Sequence, residues 1–175
     1  MGGARINLWD VLPEGDCLYF WSVQVVIIGQ ENIAEIFSVF HDGGIDRYVL
    51  QDGRLDLWIE IPYLAERINS EFSCFKISLS GVGGIAFRPW LVADEEPVFV
   101  SMDEAFQLEL GILWAEVVGG AISIGCDQCV GDMSAGGNLF IEAQAAEVSD
   151  EAGTFYSLEE LVTLANGYWN EFARR

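Results

Sequence analysis

Cations and histidine are what this chain is short of. Its 175 residues include one Lys, seven Arg and a single histidine, His41, against 28 Asp and Glu, for a formal charge of −20. The deficit is unevenly spread. From Met1 to Arg88 there are twelve acidic and six basic residues, whereas from Pro89 to Ala173 there are sixteen acidic residues and no Lys or Arg. Such a chain lacks the basic footprint that a phosphate backbone requires, so nucleic acid is not an expected partner. Anionic membranes would repel it, so no membrane partner is expected either. One histidine excludes the two-histidine zinc helix and any three-histidine metal site. Four cysteines, with no charged-then-apolar leader in MGGARINLWDVLPEGD, point to reduced thiols and a cytoplasmic location. The apolar run CLYFWSVQVVIIG is 13 residues long and contains Gln24, too short to cross a bilayer. Prolines number four, and there is no Pro-rich or Ser-rich linker, repeat or low-complexity tract, so residues 1–175 read as a single domain.

What is present is apolar and β-patterned. Half the residues are apolar and 13% are aromatic, enough for a sizeable core. Leu18 to Ile28 is rich in aromatic and β-branched residues and reads as a strand ending at Gly29. Asn32 to Phe37 fits a short helix, with Asn32 as N-cap and Glu35 as its capping-box acid. The clearest stretch follows. Ile45–Leu50 leads into Asp52-Gly53, and then Leu55, Leu57, Ile59 and Ile61 alternate with polar neighbours, which predicts a tight type I′ hairpin stopped by Pro62. Phe75, Ile77 and Leu79 alternate in turn. After Gly81-Val82-Gly83-Gly84, Ile85 and Phe87 continue the apolar face, giving an antiparallel meander.

In the second half, Ser101 and Glu104 suit the start of a short helix over Met102 to Leu110, after a strand-like Val98 to Val100. Residues 112–118 and 121–126 read as a hairpin around Gly119-Gly120, followed by a loop over 127–137. Leu139 to Val148 reads as one strand and Thr154–Tyr156 as a short one. A final helix begins at Ser157 with Glu160 completing a capping box. Its apolar stripe, Leu161, Leu164, Ala165, Tyr168, Trp169 and Phe172, is expected to pack across the sheet. The fold class expected is therefore α+β: a β-rich domain of antiparallel hairpins packed with a C-terminal amphipathic helix.

Candidate chemistry is sparse. His41-Asp42 is the pairing that metal-dependent phosphohydrolases use, but such sites need further histidines; otherwise Asp42 and the two glycines after it shape a turn. Cys126-Asp127-Gln128-Cys129 is a C-x-x-C without the second close pair of a zinc site. Its acidic neighbours raise rather than lower a thiol pKa, unlike a redox motif. No G-x-S-x-G elbow and no phosphate-binding loop is present. No cofactor and no enzymatic activity are expected. A hydrolase or metal-binding protein built on His41-Asp42 or on Cys126 and Cys129 stays as the alternative, and an acidic housekeeping protein of a salt-adapted organism as a further one.

Phe40-His41-Asp42, reached from a short helix and followed by a strand, a turn, an apolar-alternating strand, the S-L-S-G-V strand and the I-A-F strand, resembles certain immunity proteins of bacterial polymorphic-toxin systems. The likeness covers roughly residues 30 to 90, with a weaker echo at 112 to 148. It implies a protein that binds and neutralises a cognate toxin without catalysis, and it assigns no binding residue. The charge adds that the partner is basic, such as a nuclease, met by acids in the loops of the second half: Asp94, Glu95, Glu96, Asp127, Asp132, Asp150 and Glu151.

Overall fold

A computed structural model of the chain describes residues 25–90, 102–106, 109–128 and 136–174. The elements, in chain order, are β1 (Ile27–Ile28), α1 (Gln30–Val39), β2 (Gly44–Gln51), β3 (Arg54–Glu60), α2 (Pro62–Ala65), β4 (Cys74–Ser80), β5 (Gly84–Pro89), α3 (Met102–Phe106), β6 (Leu110–Val118), β7 (Ala121–Gln128), β8 (Gly137–Glu142), β9 (Ala145–Ser149), β10 (Phe155–Tyr156) and α4 (Leu158–Phe172). All described strand pairs are antiparallel, in the order β1-β9-β4-β3-β2-β6-β7-β8-β5, with β10 also on β9. The architecture is α+β, as expected.

The β2–β3 hairpin forms as its sequence dictates. Gln51 pairs with Arg54 across Asp52 (φ 52°) and Gly53 (φ 73°), the positive angles of a two-residue I′ loop. Alternation then puts Leu55, Leu57 and Ile59 on the inner face, each fully buried and each stabilising by roughly 1.5–3 kcal/mol. Gly119 (φ 61°) and Gly120 (φ 87°) close the β6–β7 hairpin in the same way.

Several expectations are corrected. First, α1 starts at Gln30 with Gly29 at the N-cap and no side-chain cap; Asn32 Nδ2 instead donates to the Ile28 carbonyl at 2.8 Å. Second, β5 does not pair with β4. The glycine-rich turn is held outward, with Val82 N–H donating to Gly53 O and Gly83 N–H to Glu142 O, so β5 runs on to the far edge and pairs with β8. Third, Leu139–Val148 is two strands: β8 pairs with β7 and β5, and after Ala143-Gln144 the chain crosses to β9, which pairs with β4, β1 and β10. These two crossings, β4 to β5 and β8 to β9, tie the halves of the sheet together. Fourth, α4 carries the expected capping box, with Glu160 N–H donating to Ser157 Oγ and Ser157 N–H to Glu160 Oε2, but it packs on α1 and α2. Leu161 and Ala165 are buried there, whereas Phe172 is left exposed. The helix expected over Met102 to Leu110 is shorter, α3, and the short helix α2, with Pro62 in its first turn, was not anticipated. Most of the expected strand Leu18–Ile28, the strand-like Val98–Val100 and most of the loop over 127–137 lie outside the described residues.

The two halves, β1-β9-β4-β3-β2 and β6-β7-β8-β5, meet at a narrow joint. Gly44 opposes Gly111, Ile112 N–H donates to Gly43 O at 2.8 Å, and Asp42 N–H donates to Ile112 O at 2.7 Å. Beyond it the strands diverge, and each freed edge meets a helix. α1 runs beside β6, with Ser38 Oγ donating to Ala115 O and Gln30 Nε2 to Gly120 O, while α3 lies by β2, where Tyr48 OH donates to Asp103. Gly43 is required at the joint: a Cβ would stand 2.9 Å from both Ile59 Cγ2 and Phe40 O. The inner faces of both halves, the buried face of α1 (Ile33, Ile36 and Phe37) and Phe40 just after it form one core cluster.

Candidate functional site: an acidic cleft at the strand joint

On the outer face, the rows of side chains across the joint follow from the register. Glu60 on β3 stands opposite Gly44 on β2, Gly44 opposes Gly111 on β6, and Gly111 opposes Asp127 on β7. The two middle positions of this row have no side chain, so the row is a trough floored by glycines and walled by two carboxylates. A Cβ at Gly44 would meet open space, whereas one at Gly111 would overlap Asp127 Oδ1, which leans over it. Asp42, Asp46 and Glu109 complete the acidic lining, with Ile45, Ile112 and Leu113 as its apolar part, around a cavity of about 590 Å³. Asp42 (φ 66°) and Glu109 (φ 46°) both take the left-handed backbone conformation at its rim. Among the described residues no Lys or Arg lines the cleft.

The cations of the adjoining outer face are committed elsewhere. Arg47 lies 3.9 Å over the Trp58 ring, and Lys76 stands 5.0 Å from the same ring. Arg54 Nε reaches Asp56 at 3.0 Å, Lys76 Nζ reaches it at 2.7 Å, and Arg54 approaches Glu147 at 3.6 Å. Burial alone would raise the Asp56 pKa, but hydrogen bonds from Lys76, Ser78 and Arg54 outweigh it and hold the carboxyl below its usual value. That face is charge-matched. The cleft beside it is not.

The acids expected at the partner surface divide. Asp127 lies in the cleft. Asp94, Glu95, Glu96 and Asp132 lie outside the described residues. Asp150 is not a surface acid: it is 6% exposed, and its Oδ1 accepts Thr154 N–H while its Oδ2 accepts Tyr156 O–H, each at 2.8 Å, so it closes the β9–β10 turn. Glu151 is exposed but occupied, accepting from Ser73 N–H at 2.5 Å and Cys74 N–H at 2.9 Å, which lowers its pKa. Asp46, Glu60 and Glu109 were not anticipated, and Asp42 was singled out only as the neighbour of His41. The signal available for them was the register, since Gly44 and Gly111 had to be recognised as neighbours.

His41 does not face the cleft. Its ring stacks on Trp169 at 5.0 Å between centroids, its Nδ1 lies 3.1 Å from Ser38 O, and its carbonyl accepts Tyr63 O–H at 2.7 Å. Asp42 Oδ2 is 3.8 Å from His41 Nε2. Cys126 is buried in β7 with its thiol donating to Ile124 O, and burial, with Asp127 beside it, pushes its pKa up to about 12. Cys74 is pushed up to about 11, first by burial and then by Glu151. Both thiols are therefore protonated at neutral pH and poor as nucleophiles or metal ligands. Cys129 lies outside the described residues. Among the described residues no three His, Cys, Asp or Glu side chains are grouped to hold a metal ion, and no described helix is long and apolar enough to cross a membrane. No family model matches this chain, and neither does any curated protein or solved structure.

Proposed function

We propose that this protein binds and neutralises a basic bacterial toxin, as an immunity protein does, and that the glycine-floored cleft receives basic side chains of that partner. The observation that carries the binding part is the cleft itself: Asp42, Asp46, Glu60, Glu109 and Asp127 line one cavity that no described Lys or Arg lines. The toxin part comes from the resemblance over residues 30 to 90. Carboxylates on both walls of a trough suit a planar guanidinium, which donates two parallel N–H hydrogen bonds to a carboxylate that it meets in plane. The surrounding charge of −20 adds long-range steering, so association is fast at low salt and slows as salt is added.

The test is co-expression with the protein encoded beside this chain in its genome. Growth arrest by that protein is expected, relieved when this chain is present, with the two co-purifying. Relief that persists when Asp42, Asp46, Glu60 and Asp127 are all neutralised would remove the cleft from the reading. A harmless neighbour that does not bind would remove the toxin.

A further inference from the structure

A second cavity, of about 470 Å³, opens on the outer face of β6-β7-β8-β5, away from the joint. The register sets its rows. Trp114, Gly125, Asn138 and Arg88 stand side by side across the four strands, and Glu116, Ser123, Phe140 and Ala86 form the next row. Small residues under large rings shape the surface. A Cβ at Gly125 would overlap the Trp114 indole and one at Gly136 would overlap the Trp90 indole, so each ring packs directly against a glycine. The two indoles are parallel within 3°, with centroids 5.5 Å apart. Trp90 Nε1 donates to Asn138 Oδ1, and Asn138 Nδ2 donates to Ser123 Oγ at 2.9 Å, which fixes the Trp90 ring in the cavity wall. Yet Trp90 is 41% exposed and Trp114 is 43% exposed.

Two charged side chains share this cavity without a partner among the described residues. Arg88 and Glu116 both line it, and neither makes an ion pair or side-chain hydrogen bond with another described residue. The cavity thus offers a held aromatic face, a second ring from Phe140, a strong donor fork and a strong acceptor. A ligand that satisfies all of these has a flat apolar face and rim groups that both donate and accept. Hydroxyls on a pyranose ring do this, with axial C–H bonds turned to the indole. An anionic ligand would meet the field of a chain at −20. We propose that this cavity is a binding site for a neutral saccharide, with one pyranose ring stacked on Trp90 and its hydroxyls shared between Glu116 and Arg88. The site is independent of the acidic cleft and of the partner proposed for it.

Titration of the full chain with methyl glycosides of glucose, galactose, mannose and N-acetylglucosamine, to about 50 mM, tests this by ligand-observed NMR and tryptophan fluorescence. Saturable millimolar binding of at least one glycoside is expected, weakened about tenfold or more by Trp90→Ala. Glu116→Gln and Arg88→Met are exposed changes that keep the aromatic wall, and each is expected to weaken binding about threefold or more. Neutralising Asp127 is expected to leave it unchanged. No saturable response to any of the four glycosides would overturn the proposal. So would binding that is indifferent to both Glu116→Gln and Arg88→Met.

Discussion

Replacing Asp150 with alanine separates a turn-closing acid from a partner-binding one. The carboxylate is 6% exposed and receives Thr154 N–H and Tyr156 O–H, one on each oxygen at 2.8 Å. A hydrogen bond to a charged group is worth about 1.5–3 kcal/mol, and removing the acceptor strands two donors. The Thr154 amide recovers part of its loss to water because that residue is exposed, whereas the half-buried Tyr156 hydroxyl recovers less. The two together come to about 3 kcal/mol for Asp150→Ala. With a urea m-value of roughly 2 kcal/mol/M, the unfolding midpoint falls by about 1.5 M. Asp150→Asn keeps one acceptor and loses the charge, so about half that drop is expected. Combined with Tyr156→Phe in a double-mutant cycle, the coupling is expected to be about 1 kcal/mol or more. An Asp150→Ala protein within about 0.5 kcal/mol of the parent would refute this role, since that is the range of surface changes that touch nothing. Loss of partner binding with stability intact would return Asp150 to the surface role its sequence context suggests.

Three further outcomes follow from the same geometry. Tyr63 and Tyr156 are held well above the usual phenol pKa, chiefly by burial, with Asp42 acting on the first and the Asp150 hydrogen bond on the second. Above pH about 10 the unfolded chain releases these protons first, so the folded state binds more protons and stability falls as pH rises. Phenolate absorbance from two of the five tyrosines is therefore expected to appear only as near-ultraviolet circular dichroism is lost, and full titration of a still-folded protein would contradict their burial. Cys74 and Cys126 are expected to resist iodoacetamide in the native protein at pH 8 and to react on unfolding, as peptide mapping by mass would show; rapid native labelling of Cys126 would contradict its place in β7. Gly43→Ala forces a methyl against Ile59 and the Phe40 carbonyl and is expected to cost about 1–3 kcal/mol in chemical denaturation, whereas Gly44→Ala, which meets open space, costs much less.

Local order was the legible part of this sequence. Asp52-Gly53, Gly119-Gly120 and the Ser157–Glu160 capping box each act within a few residues, and all three form as their sequences dictate. The apolar alternation of β3 and β4 also fixed which side chains are inside. What the sequence did not reveal was which strands become neighbours across long separations. Gly81 to Gly84 has the composition of a hairpin turn, and only its bonds to Gly53 and Glu142 divert β5 to the far edge. Ala143-Gln144 is an unremarkable dipeptide that changes the strand's partners. The site suffered from the same blindness. Asp42 and Asp127 stand 85 positions apart in the sequence, and nothing local marks them as walls of one cleft. Asp150 failed for the opposite reason, because an acid in a polar turn looks solvated until its two donors are placed around it.

The proposed function requires that position in the cleft, rather than total charge, makes the acids a binding site. The direct measurement is the dissociation constant for the neighbouring gene product in two charge-matched variants, read by surface plasmon resonance at physiological salt. One variant neutralises Asp42, Asp46, Glu60 and Asp127; the other neutralises Glu31, Glu66, Glu71 and Glu159, which are exposed and outside the cleft. A third, Gly44→Leu, fills the trough without changing charge. The cleft variant is expected to weaken binding by at least about 100-fold and Gly44→Leu by at least about tenfold, with the matched control within about fivefold of the parent. Equal losses in the two charge variants, with Gly44→Leu binding as the parent does, would contradict the claim and leave only a diffuse acidic field.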